Sequence, residues 1–168
     1  PKYHAQVRYL VVDCAENELN QLVKDGVFEQ SEVMTVPYEG AHETINPHSS
    51  KSDKKAWVDP NLYSATGGDA PGIHPGFENN GAGAWRQPGR VRLTSTGGIN
   101  VINKIQQVIN GTHHPAGTKL KVFFLCSVAG GTGSGTIVDL VYMTRHVLET
   151  NFAGLYNNTC IFGYIFSP

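Results

Sequence analysis

The segment that most constrains this chain is Ala129-Gly130-Gly131-Thr132-Gly133-Ser134-Gly135, because of what lies on either side of it. Before it, Lys119 to Val128 (KLKVFFLCSV) is aromatic and apolar through its second half and predicts a buried strand. After it, Ile137, Leu140, Val141, Met143, Val147 and Leu148 recur at helical spacing and predict a helix from Thr136 to about Glu149. Four glycines in the six positions 130–135 therefore join a strand to a helix. An ordinary tight turn needs only one or two glycines. Glycine lets several backbone N–H groups converge on an anion without Cβ obstruction, and the helix N-terminus adds its partial positive charge. Thr132 and Ser134 supply hydroxyls as further donors or as caps for the helix. The arrangement predicts a phosphate-binding strand–loop–helix unit, with an unliganded turn as the structural alternative.

Two common phosphate loops do not fit. A P-loop requires a Lys-Ser/Thr pair after its last glycine, and Gly135 is followed by Thr136-Ile137. The dinucleotide fingerprint G-x-G-x-x-G, with an acidic ribose partner about 20 residues on, is met only as G-x-G-x-G, and Glu149 falls on the predicted helix. A flavin or dinucleotide oxidoreductase is thus a minor alternative.

The remainder of the chain points to an α/β domain. Val7 to Val12 (VRYLVV) predicts a strand ending at Asp13, and Leu19, Leu22 and Val23 predict a helix over 15–24 that Gly26 stops. Between Val36 and Asn80 no period of 2 or 3.6 survives, which marks about 37–80 as an irregular insertion pinned by Trp57 and Tyr63. Its histidines, His42, His48 and His74, are too scattered for a metal pattern. Helical spacing returns from about Arg86 to Leu93, with Pro88 in the first turn, and Gly97-Gly98 interrupts it. Arg86, Arg90 and Arg92 read as a solvated face, with contact to a phosphate or an adjacent subunit as the alternative. A second amphipathic stretch runs from Ile99 to Asn110 and is stopped by Gly111, and Thr159 to Phe166 predicts the last buried strand. Buried strands alternating with helices predict a mostly parallel sheet with flanking helices, and ligands collect at the carboxyl ends of its strands.

Composition excludes several partners. With 13 Lys+Arg against 14 Asp+Glu, a net charge of −1 and 16% charged residues, the chain has no basic stripe for nucleic acid or an anionic membrane. No run approaches the roughly 20 apolar residues of a membrane span, and Pro1-Lys2-Tyr3-His4 is not a secretory signal, so the cytoplasm is the expected compartment. Cys14, Cys126 and Cys160 are odd in number and set in apolar runs, which predicts buried reduced thiols. A chain of 168 residues that is 40% hydrophobic is long enough to bury a core.

Ser127-Val128-Ala129-Gly130-Gly131-Thr132-Gly133-Ser134-Gly135 resembles the GGGTGSG signature loop of the tubulin/FtsZ superfamily, with Ala129 in place of the first glycine. Gly81-Ala82-Gly83-Ala84-Trp85 is similar to the family's GAGNNW and GAGGNP loops, Val7 to Asp13 to its earlier strand with an acidic tip, and Tyr164 to Pro168 to the strand end before the sugar-binding loop. The likeness covers most of the chain outside 37–80 and is nearest to divergent prokaryotic tubulin-like proteins.

It implies an incomplete Rossmann-like GTPase domain of the tubulin/FtsZ type, without the earlier diphosphate loop or the C-terminal domain. It implies GTP or GDP with Mg²⁺ as ligands. Ser127, Ala129, Gly130, Gly131, Thr132, Gly133, Ser134 and Gly135 would hold the α- and β-phosphates, Gly81, Ala82, Gly83 and Ala84 would face the γ-phosphate, and Asp13 would stand near the metal or a bound water. The implied partners are other copies of the chain in a head-to-tail filament, with hydrolysis completed by an acid of the neighbouring subunit. No residue of this chain is assigned as that acid. The alternative is a tubulin-like scaffold with weak or no nucleotide binding, for which Ala129, Pro88 and the insertion leave room.

Overall fold

The computed structural model describes residues 6–37, 81, 82, 85–115 and 117–167. Trp57, Tyr63, His42, His48, His74, Gly83 and Ala84 lie outside the described residues, as does nearly all of the expected insertion.

Two parallel strand pairs carry the fold. Strand β1 (Val11–Asp13) pairs with β2 (Val33–Thr35) in the register Val11 with Val33 and Asp13 with Thr35. Strand β3 (Leu120–Ser127) pairs with β4 (Thr159–Phe166) over its whole length, Leu120 with Thr159 and Ser127 with Phe166. The first strand is shorter than the predicted Val7–Val12 run. A strand persists only as far as its ladder partner does, and β2 offers three residues.

Helix α1 (Glu16–Lys24) follows β1, with Leu19 buried, Glu16 and Glu18 in its first turn and Lys24 in its last, matching the helix dipole. It ends in a Schellman motif: the Val27 N–H donates to Leu22 O at 2.9 Å and the Gly26 N–H to Val23 O at 3.0 Å. Gly26 takes φ +72° there, the left-handed conformation its place in the sequence predicts. A 3₁₀ turn (Gln30–Glu32), closed by a Glu29/Glu32 capping box, leads into β2.

Helix α2 (Arg86–Arg92) begins at Trp85, and Pro88 sits in its first turn as expected. The expected break at Gly97-Gly98 does not occur. A π-helical turn (Leu93–Gly97) passes directly into helix α3 (Gly98–Asn110). The Thr94 hydroxyl donates to Arg90 O at 2.9 Å and the Ser95 hydroxyl to Val91 O at 2.8 Å, so side chains occupy the carbonyls that a regular ladder would use. On α3, Val101, Ile105 and Ile109 are buried at intervals of four; of the other apolar residues in the expected amphipathic stretch, Ile102 and Val108 are partly buried and Ile99, on the opposite side of the helix from Val101, is exposed.

Helix α4 (Gly131–Asn151) follows β3, and the short helix α5 (Ala153–Tyr156) precedes β4. The principal core joins Cys14, Val36, Ala82, Leu93, Val101, Ile105, Ile109, Val147 and Leu148, bringing α3 and α4 against the segments that follow β1 and β2. The opposite face of β3 and β4 is exposed and aromatic: Phe123 stacks on Phe162 with ring centroids 5.1 Å apart and lies 6.2 Å from Tyr164. That face also corrects the cysteine reading. Cys14 is buried, but Cys126 is only partly so and Cys160 is exposed, because β4 alternates and residue 160 falls on the outward face. All three are free thiols.

Candidate functional site

Three segments meet where β1 and β3 end. Asp13 closes β1, Gly81 and Ala82 lie against the turn that follows it, and the glycine run opens α4. Gly81 is at φ +100°, and a Cβ there would lie 3.4 Å from Ala15 Cβ, so the 81–82 segment rests on the Asp13 turn. Ala82 is 2% exposed and belongs to the core beside Cys14 and Val36. Gly81 and Ala82 are both buried, and Gly83 and Ala84 lie outside the described residues.

One carboxylate oxygen organises the centre. Asp13 Oδ1 accepts the Cys14 N–H at 2.6 Å, the Ala15 N–H at 3.1 Å and the Thr132 hydroxyl at 2.9 Å. Thr132 is 7% exposed, so this last bond ties the β1 tip to the first turn of α4 through the interior. Sequence separation between the two is 119 residues, and no local pattern announces the contact.

The glycine run is helical sooner than its composition suggests. The expected helix began at Thr136; α4 begins at Gly131, so Gly131 to Gly135 form its first turn and a half. The expected side-chain cap is absent. Gly130 is the N-cap, in extended conformation, and no side chain caps it. The Ser134 hydroxyl instead donates to Gly130 O at 2.5 Å, and the Thr132 hydroxyl is spent on Asp13. The first-turn N–H groups of an α-helix have no intrahelical acceptor, so the uncapped terminus leaves such donors for a ligand; Gly130 is exposed, while Gly131 and Thr132 are buried. Gly130 is exposed, with no atom within 4 Å of where its Cβ would stand. Ser127 and Ala129 are exposed beside it, and the Ala129 N–H donates to the Ser127 hydroxyl at 3.1 Å.

The other glycines serve packing. A Cβ on Gly133 would lie 3.0 Å from Cys126 Cβ, and one on Gly135 would lie 2.1 Å from Arg86 O. From the opposite side, a Cβ on Gly89 would lie 2.7 Å from Gly131 O. Helices α2 and α4 therefore touch backbone to backbone at the site. The Arg90 guanidinium adds a two-pronged bond to Asp139, Nε to Oδ2 at 2.8 Å and Nη2 to Oδ1 at 3.2 Å.

The arginine expectation holds for exposed Arg86 and fails for Arg92. Arg92 is 1% exposed, and its Nη2 donates to Val36 O at 2.7 Å and Cys14 O at 3.2 Å. Its signal was present in the sequence: it lies four residues after Pro88, on the buried face, between Val91 and Leu93. Beside it, burial pushes the Cys14 thiol up from its ordinary pKa, and the Arg92 charge opposes that shift. Cys14 is consequently a neutral packing residue rather than a nucleophile. Among the described residues no His, Cys, Asp and Glu cluster has the form of a metal site, and no helix is long and apolar enough to cross a membrane.

Residues 2–168 match the profile of the family described as Tubulin like. The chain belongs to the tubulin-like family. No curated protein and no solved structure matches it. The parallel strand pairs with flanking helices agree with a tubulin-like, Rossmann-type domain. In this tubulin-like chain the match runs through both glycine loops and Asp13, of which Asp13, Gly81-Ala82 and the 130–135 run meet in space.

Proposed function

We propose that this tubulin-like chain binds a guanine nucleotide, GTP or GDP, at the junction of Asp13, the Gly81-Ala82 segment and the glycine terminus of α4. The observation that carries the reading is the uncapped N-terminus at Gly130, open to solvent and tied through Thr132 to Asp13. Backbone N–H groups at Gly130 to Gly133, with Ser134 and Gly135 continuing the turn, would receive the α- and β-phosphates, which suits a site with few cationic side chains. Tubulin-like proteins generally bind GTP or GDP with Mg²⁺. The donor set fits that ligand: the first-turn N–H groups of α4 for the phosphates and a carboxylate, Asp13, bonded to that turn for a metal-bound water. Mg²⁺ when bound supplies charge neutralisation between phosphates. Asp13 is oriented for its part by the three donors on Oδ1. Gly81 to Ala84 would read the terminal phosphate.

Self-assembly is part of the proposal. Filament formation is usual for tubulin-like proteins, and a head-to-tail arrangement would let the neighbouring subunit supply the acid that activates water. The chain's own residues then position the nucleotide and stabilise charge, with hydrolysis completed across the interface.

A second reading has one observation in its favour. The Ala129 N–H, which the family likeness assigns to the diphosphate, is already taken by Ser127. A scaffold with weak or no nucleotide binding would tolerate that.

Equilibrium binding of a fluorescent GTP analogue to the full-length protein separates the two. Gly130→Glu is the control of choice, since a Cβ there meets nothing within 4 Å and the substitution brings a negative charge to the proposed phosphate position. Binding by the wild type and its loss in Gly130→Glu is the expected result; no binding at tens of micromolar overturns the nucleotide reading. Sedimentation with GTP and Mg²⁺ tests assembly, and a persistent monomer would count against filaments.

A further inference from the structure

We propose that Arg92 is a positioning residue for the Asp13 carboxylate, acting through the main chain of the β1 tip. The inference deepens the nucleotide reading and concerns the same site. A guanidinium that is 1% exposed is costly to bury unless its donors are met, and an aliphatic side chain would pack the same space without that cost. The residue type therefore calls for a reason beyond packing.

The bonds of Arg92 supply one. Its Nη2 holds the carbonyls of Cys14 and Val36 at 3.2 and 2.7 Å, while the Val36 N–H donates to the Asp13 main-chain oxygen at 2.7 Å. The two peptide groups that follow Asp13 are thus held, the 14–15 peptide by the guanidinium directly and the 13–14 peptide through Val36. The N–H groups of Cys14 and Ala15 then point at Asp13 Oδ1.

The middle of the same helix sets the other donor. Gly89 lies so close to α4 that a Cβ would stand 2.7 Å from Gly131 O and 3.1 Å from Thr132 Cα, and Thr132 gives its hydroxyl to the same Asp13 oxygen. Helix α2 is a short strut between the two halves of the site. Its middle, at Gly89, meets Thr132 through backbone contact, and its C-terminal end holds the 13–15 turn through Arg92. Both paths converge on one carboxylate oxygen, so the carboxylate's orientation is set before any ligand arrives.

The test uses the full-length protein with Arg92→Met, which keeps bulk and removes the donors, and Arg92→Lys, which keeps charge but not the planar fork. Amide hydrogen exchange at Cys14 and Ala15 needs no nucleotide. It should quicken roughly tenfold in Arg92→Met, the scale of one hydrogen bond to a charged group, and less in Arg92→Lys, with the β3–β4 ladder unchanged. Unchanged exchange at Cys14 and Ala15, or a uniform rise across all ladders, overturns the proposal. If Arg92→Met does not fold, the Arg92→Lys comparison decides alone.

A fluorescent GDP analogue with Mg²⁺ gives the functional arm. Arg92→Met and Asp13→Asn should each weaken binding, and the double variant should be no weaker than the worse single one to within about twofold, because they act on one element. Effects that multiply would refute action through Asp13. A wild type that binds no nucleotide would defeat the nucleotide reading and leave the exchange result to decide the role of Arg92.

Discussion

Replacing Gly135 by alanine tests the backbone seam on which the candidate site is built. In the interior of an exposed helix this change is stabilising, by about 1 kcal/mol, because alanine restricts the unfolded chain and suits the helix. At Gly135 the new Cβ would stand 2.1 Å from Arg86 O, 3.0 Å from Arg86 C and 3.2 Å from Arg86 Cα, where ordinary contact begins at 3.4 Å. The obstacle is peptide backbone, which cannot rotate aside as a side chain would. Helices α2 and α4 must separate by roughly an ångström, and forced expansion of a packed interface costs typically 1–3 kcal/mol. Taking the upper end, since both partners are main chain, and subtracting the helix gain leaves a net loss of about 2 kcal/mol.

The assay is the thermal midpoint of the full-length protein alongside Gly154→Ala as control. Gly154 lies in α5 with nothing within 4 Å of its Cβ position, so alanine there should be neutral or mildly stabilising. A loss of about 2 kcal/mol corresponds to a drop of roughly 4–8 °C for a domain of this size. If Gly135→Ala melts at or above the wild-type temperature, the backbone contact between α2 and α4 is refuted, and with it the strut that joins the two halves of the site.

Thr132→Val should cost about 1.5–3 kcal/mol in chemical denaturation, the range for a hydrogen bond to a charged group, because the buried hydroxyl bonded to Asp13 is lost with little change of shape. Asp139→Asn should cost less, about 0.5–1 kcal/mol, and the loss should shrink in high salt, since the Arg90 side chain is 43% exposed. The Cys14 thiol should resist a water-soluble alkylating reagent at neutral pH while Cys160 reacts, as peptide mass mapping would show. Because burial raises the folded-state pKa of Cys14, its contribution to stability is fully present below the unfolded thiol value and is lost as pH rises above about 8.5; denaturation midpoints in a Cys14→Ala comparison should diverge less at high pH than at pH 7.

Periodicity made much of the fold legible. Thr159 to Phe166 forms β4 with the expected ends, Gly26 ends α1, and the stripe of Val101, Ile105 and Ile109 faces the core, since spacing and turn chemistry are local properties that tertiary contacts here reinforce. The same local logic misjudged the stretch 93–98. Two glycines read as a break, but hydroxyls at Thr94 and Ser95 kept the chain helical in a wider turn, and Gly98 lies against Leu93 O and Met143.

The glycine run illustrates the division most clearly. Its composition and its place between strand and helix predicted a backbone anion site and carried the family likeness, because those features depend only on neighbouring residues. Which glycines open to solvent and which admit a second helix was decided in three dimensions: Gly130 faces open space, whereas Gly133 and Gly135 are pressed against Cys126 and Arg86. Arg92 follows the same rule. A sequence shows its charge and its helical position, but only packing decides that this charge is sealed among backbone carbonyls instead of facing water, because burial depends on what distant segments place around it. Asp13 and Thr132 were each visible as candidates. Their bond, across 119 residues, belongs to the tertiary structure alone.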